Sequence, residues 1–369
     1  MSNLPLTVKA PGKLMIAGEF AVLEPHYKLI VMAADRYVST TVEESDTNTI
    51  TLENFGLENI QWFYTDGAVT MASEDNRFRY TASALEMVCN YLQEQRIAIR
   101  SIHLTIKSEL DDPSGKKYGL GSSAAVVTSV ISAMLHAHLN ETPDPKLVFK
   151  LAAVTHVVVQ GNGSGADVAA SAYGGFIEYV SFQADWLIDQ FEKTTTLTQL
   201  IETPWEYLSI QPFKLPEHIH MAIGWTGSPA STGQLVNQIL SLKKRNPVAY
   251  TRFLKASQEA VNAFIHGAQS NDIALLQQGV LNNRIALARV GSDAGVEIET
   301  HMLAVLSDLA EAEGGAGKSS GAGGGDCGIA FMTTKAQVDR LSASWHEAGI
   351  ESLPLKMAPR GAAITNKPN

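Results

Sequence analysis

Tyr118-Gly119-Leu120-Gly121-Ser122-Ser123-Ala124-Ala125 sets two glycines and two serines directly before a run of apolar residues at helical spacing. Glycine lets a backbone take positive φ and come close to a ligand. The helix start that follows offers unpaired amides and the positive end of a dipole, which suits a phosphate. The hydroxyls of Ser122 and Ser123 can donate to phosphate oxygens or ligate Mg2+. A simple serine N-cap, worth about 1 kcal/mol, is the plain alternative. It accounts for one serine, but not for the paired glycines, the second serine and the upstream Lys116-Lys117. The order of lysine and hydroxyl that marks a P-loop is absent.

Working outward, Ala124 to Leu139 reads as a long helix stopped by Asn140 and Pro143, and a second helix runs from about Pro145 to Val159. The loop Gln160-Gly161-Asn162-Gly163-Ser164-Gly165 leads into a short helix over Ala166 to Ala172 and then the strand Phe176 to Val180. Upstream, Leu6 to Ala10 alternates, Pro11-Gly12 breaks the pattern, and Lys13 to Ala17 resumes it. Further strands are expected at Tyr37 to Val42, Ile50 to Leu52 and Ile102 to Ile106. Downstream come a strand at His220 to Trp225, a small-residue loop over Thr226 to Gly233, and helical patterns through 235–310 interrupted near Asn246-Pro247 and Gly291. A glycine-dominated loop from Glu313 to Asp326 precedes a strand at Cys327 to Phe331. A Thr-capped helix over Thr333 to His346 and a closing strand over Ile350 to Met357 complete the chain. Strands and helices mix without a regular βαβ repeat, which indicates α+β and argues against a doubly wound sheet. The length suits two domains, at roughly 100–200 residues each. The expected division is 1–185 and 186–369, with 183–215 hard to assign.

The 369 residues are 45% hydrophobic and 18% charged, with a net charge of −10. That balance supports real cores and disfavours nucleic acid and anionic membranes as partners. An anionic substrate must therefore be held by local amides and a few cations. The two cysteines, Cys89 and Cys327, and the scattered histidines show no metal-ligand spacing or disulfide framework. Cys327 reads as a small buried hydrophobe, and Trp225 as a packing residue. The N-terminus lacks the pattern of a signal peptide, no stretch is apolar enough to span a bilayer, and a cytoplasmic location is expected.

Three separated segments carry a family resemblance. The first is Lys9-Ala10-Pro11-Gly12-Lys13-Leu14 with Gly18-Glu19-Phe20-Ala21-Val22-Leu23, the second Gly119 to Ala125, and the third Lys318-Ser319-Ser320-Gly321-Ala322-Gly323-Gly324-Gly325-Asp326-Cys327. In this order they resemble the galactokinase–homoserine kinase–mevalonate kinase–phosphomevalonate kinase (GHMP) superfamily. Within it they are most similar to the bacterial phosphomevalonate kinase branch, and the Gly325-Asp326-Cys327 ending discriminates best. A tyrosine stands where the second segment of the family often begins with proline. The resemblance implies a two-domain GHMP kinase fold, with an N-terminal domain like ribosomal S5 domain 2 and a ferredoxin-like C-terminal domain. It also implies an ATP- and Mg2+-dependent kinase, monomeric or homodimeric, acting on phosphomevalonate in isoprenoid-precursor synthesis. Mevalonate kinase is the nearest alternative, and a catalytically inactive small-molecule sensor is one of another class.

The same resemblance implies that Lys13 and Asp167 meet as catalytic residues. Read alone, Asp167 is equally a carboxylate favoured by a helix N-terminus, and Lys13 a snorkelling surface lysine. Asp167 could act as base, metal ligand or orienter of Lys13. The nucleotide-binding candidates are Lys116, Gly119, Leu120, Gly121, Ser122, Ser123 and Ala124, with Ser123 also the metal candidate. Asn162, Ser164, Ser231 and Thr232, all on glycine-bearing loops, are candidates for holding the acceptor, although ordinary turn chemistry explains them too. Ser319, Ser320, Gly321, Ala322 and Gly323 complete the acceptor candidates, on a loop that is either a ligand cradle or a hinge. Lys318 is open between anion ligand and solvated charge.

Overall fold

The computed structural model describes residues 4–111, 117–228 and 232–366. Two long apolar-alternating stretches form its centre: β1 (Leu6–Ala17) pairs antiparallel with β2 (Lys28–Glu44) along most of both strands. The break expected at Pro11-Gly12 is a register shift inside one continuous strand. Proline cannot donate to the ladder, and the Pro11 carbonyl is instead taken by the Ser171 hydroxyl at 2.7 Å. The length of β2 lets it serve two further neighbours. Its second half pairs with β6 (Ile102–Ser108) and its first half with β7 (Phe176–Val180). β3 (Thr49–Leu52), β4 (Leu57–Thr65) and β5 (Ala68–Met71) extend the sheet beyond β6, and β8 (Ser209–Phe213) extends it beyond β7.

A second, four-stranded antiparallel sheet has the order β10-β11-β9-β12, from β9 (His220–Trp225), β10 (Ala316–Ser319), β11 (Cys327–Met332) and β12 (Glu351–Ser352). β10 lies inside the stretch expected to be a glycine loop. Its residues Ala316-Gly317-Lys318-Ser319 lack β-branched or aromatic side chains, so its pairing with β11 and its complete burial decide its conformation. The closing strand expected over Ile350 to Met357 is reduced to Glu351–Ser352. The last strand, β13 (Ala363–Asn366), instead pairs with β1. The nine-stranded sheet thus takes β8 and β13 from beyond residue 185, so a division at 185/186 follows chain order and not sheet membership.

Eleven α-helices are described: α1 (Arg79–Glu94), α2 (Ser122–His138), α3 (Pro145–Gln160), α4 (Ala166–Tyr173), α5 (Ala184–Lys193), α6 (Leu197–Glu202), α7 (Thr232–Arg245), α8 (Pro247–Ser270), α9 (Ile273–Ala294), α10 (His301–Ala312) and α11 (Lys335–Glu347). α2 is apolar almost all round and is buried accordingly, packed on β1 and β2 with α1 and α3 beside it. Of its buried hydroxyls, Ser129 meets Thr40 of β2 at 2.9 Å, while those of Thr128 and Ser132 have no partner. The long helical stretch breaks at Asn246, which caps α8, and at Asp272, which caps α9. Gly291, expected to interrupt it, sits inside α9 with Val296 and Ile298 packed over it. α11 begins with a full capping box between Thr334 and Gln337. One continuous core joins the two sheets: Phe264 of α8 and Phe331 of β11 belong to the same apolar cluster as Leu14 and Ile16 of β1.

The stretch that resisted assignment, 183–215, holds α5, α6 and β8, and a buried lysine on α3 secures it. Lys150 is 2% exposed. Its Nζ donates to the carbonyls of Ile201 and Thr203 at 2.6 and 2.7 Å and lies 5.0 Å from the Trp205 ring centre. Burial pushes its pKa down from 10.5 to about 8. A neutral amine still has two protons for the two carbonyls. Lys150→Met leaves both carbonyls unpaired and is expected to cost about 1–3 kcal/mol in urea denaturation. Because the folded state releases the proton before the unfolded chain does, the stability gained from Lys150 rises with pH through the window from about 8 to about 10. The gap between native protein and Lys150→Met should therefore be wider at about pH 9.5 than at about pH 7. A gap that narrows with pH contradicts this assignment.

Candidate active site

A cavity of about 430 Å³ opens where β1, the turn before α2, the loop before α4 and the turn after β10 approach one another. Gly121 is the N-cap of α2, at φ 77°. With no side chain there to cap them, the first amides of α2 remain for a ligand, at the positive end of a buried helix. A Cβ on Gly121 would lie 3.0 Å from Lys13 Cγ and 3.6 Å from Asp167 Cβ, so both side chains come close to this glycine. Lys13 is tied to the turn twice: its amide donates to the Leu120 carbonyl and its Nζ to the Gly119 carbonyl, each at 2.8 Å. The ammonium is thus held at the mouth of α2 by a backbone carbonyl, and Asp167 is not among its bonded partners. Asp167 stands in the first turn of α4, where its carboxylate accepts from the Val168 amide at 2.9 Å.

The third segment reaches the second through two contacts. A Cβ on Gly119 would lie 2.6 Å from the Asp326 carboxyl carbon, and Cys327 Sγ donates to the Tyr118 carbonyl at 3.1 Å. Burial pushes the Cys327 thiol up to about 12, as befits a small core residue. Trp225 packs edge-on against Tyr118, with ring centres 4.9 Å apart. Ser320 donates from its hydroxyl to the Met15 carbonyl of β1 at 2.8 Å. Gly321 follows, and a Cβ on it would stand 3.8 Å from Lys13 Nζ across the cavity.

Of the residues expected from sequence, Lys13, Asp167, Gly119, Leu120, Gly121, Ser122 and Ser123 border this cavity. So do Asn162 and Ser164 from the loop before α4, and Ser320, Gly321 and Ala322 from the third segment. Ala124 is buried in the core behind the turn. Ser319 lies within β10, and Gly323 packs against the Ile298 carbonyl, so both are set back from the cavity. Thr232 opens α7. Lys116 and Ser231 lie outside the described residues.

Two cavity residues carry functional groups to which the sequence gave no role. His156, in the mostly apolar second half of α3, meets the Ser123 hydroxyl through Nε2 at 3.0 Å, is covered by the Tyr80 ring, and has no partner at Nδ1. A histidine in an apolar helical run reads as core, and only the fold brings it under Ser123. Glu19 follows β1 and is buried against Lys318, with Nζ and Oε1 2.6 Å apart. Lys318 is therefore neither an anion ligand nor a solvated charge. Burial pushes its pKa down while the Glu19 carboxylate pulls it back up.

The set of groups fits a polyphosphate and an anionic partner: helix amides, glycine backbone, serine hydroxyls and two lysines, Lys13 and Lys117, in a protein of net charge −10.

Comparison with known proteins agrees with this chemistry. Residues 79–175 match the family model for the GHMP kinases N terminal domain, and 264–351 match that for GHMP kinases C terminal. The phosphomevalonate kinase of Streptomyces sp. (strain CL190) is 33% identical, over 95% of this chain and 97% of its own length. Among solved structures, the Lin0012 protein from Listeria innocua superposes with a TM-score of 0.92 at 38% identity, covering 98% of this chain and 99% of that one. The Streptococcus pneumoniae phosphomevalonate kinase, in complex with phosphomevalonate and AMPPNP, gives a TM-score of 0.83 at 27% identity, covering 95% of this chain and 99% of that one.

The close approach of Lys13 and Asp167 to Gly121 can be tested by adding one methyl group. Gly121→Ala puts that methyl 3.0 Å from Lys13 Cγ at a φ of 77°, and the turn must shift to relieve it. The folded variant is expected to bind AMPPNP about tenfold or more weakly by calorimetry, in line with a strain of about 1–3 kcal/mol. Unchanged affinity in a variant with native circular dichroism contradicts the role given to the turn.

Proposed function

The chain belongs to the GHMP kinases, and on that premise we propose that it transfers the γ-phosphoryl group of ATP to (R)-5-phosphomevalonate, giving ADP and (R)-5-diphosphomevalonate. The observation that carries this reading is the Lys13 ammonium, pinned 2.8 Å from the Gly119 carbonyl at the mouth of α2 and facing Gly321 across the cavity. The nucleotide phosphates lie on the α2 side, along 119–123. The acceptor lies on the side of Asn162, Ser164, Ser320, Gly321 and Ala322.

An acceptor that is itself a phosphomonoester sets the demands on the protein. Its second pKa is about 6, so near neutral pH it is already mostly a dianion and no general base is required. The obstacle is repulsion, since two unit charges about 4 Å apart at an effective dielectric of about 20 already repel by about 4 kcal/mol. Catalysis then rests on positioning and on positive charge at the transferring phosphoryl. Lys13 supplies a fixed ammonium and α2 its amides. Asp167, which borders the same cavity, adds a carboxylate to the site.

Mg2+ takes most of its ligands from phosphates and water. Among the described residues no group of three or more His, Cys, Asp or Glu gathers into a metal cage. The donor that fits is the Ser123 hydroxyl. By donating its proton to His156 Nε2 it would keep its lone pairs for the cation, and Asp167 stands within the same cavity as a further oxygen ligand. Bound there, the cation would neutralise charge on the β- and γ-phosphates. The substrate and cofactor of this reading are those of a cytoplasmic enzyme of isoprenoid-precursor synthesis. No described helix is long and apolar enough to cross a membrane.

Two measurements test the proposal. Lys13→Met should lower kcat by about a thousandfold or more while the affinity for ATP stays within about threefold, because the ammonium acts in the transition state. Near-native turnover in that variant removes Lys13 from the mechanism. In a coupled ADP-release assay, kcat/KM for (R)-5-phosphomevalonate should exceed that for mevalonate by about a hundredfold or more. A reversed ratio makes the protein an alcohol kinase.

A further inference from the structure

We propose that Glu19 and Lys318 form a buried positioning pair that fixes the acceptor-side turn opposite Lys13; the inference rests on the reading that Ser320 to Ala322 face the acceptor. The two residues are 299 positions apart, yet Lys318 is 0% exposed and Glu19 4% exposed, and Nζ and Oε1 are 2.6 Å apart. Lys318 Nζ also donates to the carbonyl of Ser319, and the same Glu19 Oε1 accepts from the amide of Gly321 at 3.4 Å. One carboxylate oxygen therefore holds both Lys318 near the end of β10 and the glycine that faces the Lys13 ammonium.

The geometry is economical in chain. Lys13 and Glu19 are six positions apart in sequence, Lys13 within β1 and Glu19 just beyond its end, with the last residues of the strand and Gly18 between them. Ser320, which lines the cavity, is bonded back to Met15 of that segment. The turn is thus referred to β1 at two points, Met15 and Glu19, on either side of the strand's end. Glu19 itself borders the cavity, and its other oxygen, Oε2, is buried without a partner.

A buried ion pair is a costly way to hold a fold together. Two well-packed apolar side chains often serve as well or better, whereas removing one charge alone is strongly destabilising. What an apolar pair cannot do is accept from the Gly321 amide or hold the Ser319 carbonyl, so stability and the placement of the turn can be separated by mutation.

The deciding protein is the double variant Glu19→Met/Lys318→Met. Its melting temperature is expected within about 5 °C of native. Its KM for (R)-5-phosphomevalonate should rise, or its kcat fall, by about tenfold or more, while its affinity for AMPPNP stays within about twofold. A stable double variant with native KM and kcat overturns the proposal and leaves the pair a purely structural one. A loss of AMPPNP affinity as large as the loss in acceptor KM also overturns it, because the effect is then not confined to the acceptor turn. Should the double variant fail to fold, Glu19→Asp, which keeps the charge and shortens its reach by one methylene, is judged by the same kinetic criteria. The native protein run alongside separates the two readings. If it turns over mevalonate and not phosphomevalonate, the acceptor is reassigned and the pair is tested on mevalonate. If it turns over neither, the kinase reading falls and the positioning role falls with it.

Discussion

A lysine on β1 gives its ammonium to a glycine carbonyl at the mouth of α2, and the shape of the cavity follows from that bond. The lysine needs a neighbour without a side chain in order to lie flat against the turn, and Gly121 provides it at a φ few other residues tolerate. The same φ turns the chain into α2 and leaves the helix uncapped. A bulky or side-chain-capped residue there would close the amides and displace the ammonium together. Anion binding and placement of the cation are consequences of a single backbone position.

The surroundings keep that position rigid. α2 is buried on nearly every face, so its N-terminus cannot swing to follow a ligand. The third segment is braced against the second by the Asp326 carboxyl over Gly119 and by the Cys327 thiol on Tyr118, and it is braced against the first by Ser320 on Met15. Preorganised dipoles and charges stabilise a transition state without reorganising as it forms. In a protein with a net charge of −10 this matters more than usual, because no general positive field draws the two anions in.

The turn at 118–125 was legible because its chemistry is local: glycines, hydroxyls and a helix start adjoin in sequence. The strands at Phe176–Val180 and His220–Trp225 and the helix at Pro145–Gln160 were legible for the same reason, through periodicity and caps. The approach of Lys13 to Asp167 was not, since nothing in the spacing of two residues 154 positions apart brings them together, and a family resemblance supplied it. Glu19 lay within a quoted segment, but its partner Lys318 is 299 positions away. β10 was missed because pairing and burial, and not propensity, make Ala316-Gly317-Lys318-Ser319 a strand. Pro11-Gly12 was over-read as a break, since a bulge lets a strand carry both residues. The closing strand was misplaced because the apolar residues near Leu353 and Leu355 serve the core without extending a ladder, while Ala363–Asn366 gains its pairing from the edge of β1.

The central claim is spatial: three stretches far apart in the chain meet around the terminal phosphates of one nucleotide. A crystal structure with AMPPNP, Mg2+ and the acceptor bound tests it most directly. The account predicts the γ-phosphate within hydrogen-bond reach of Lys13 Nζ and the amides of 121–123, with the acceptor's phosphate between it and the turn at 320–322. A nucleotide whose phosphates lie away from Lys13, or an acceptor seated on another face, contradicts it.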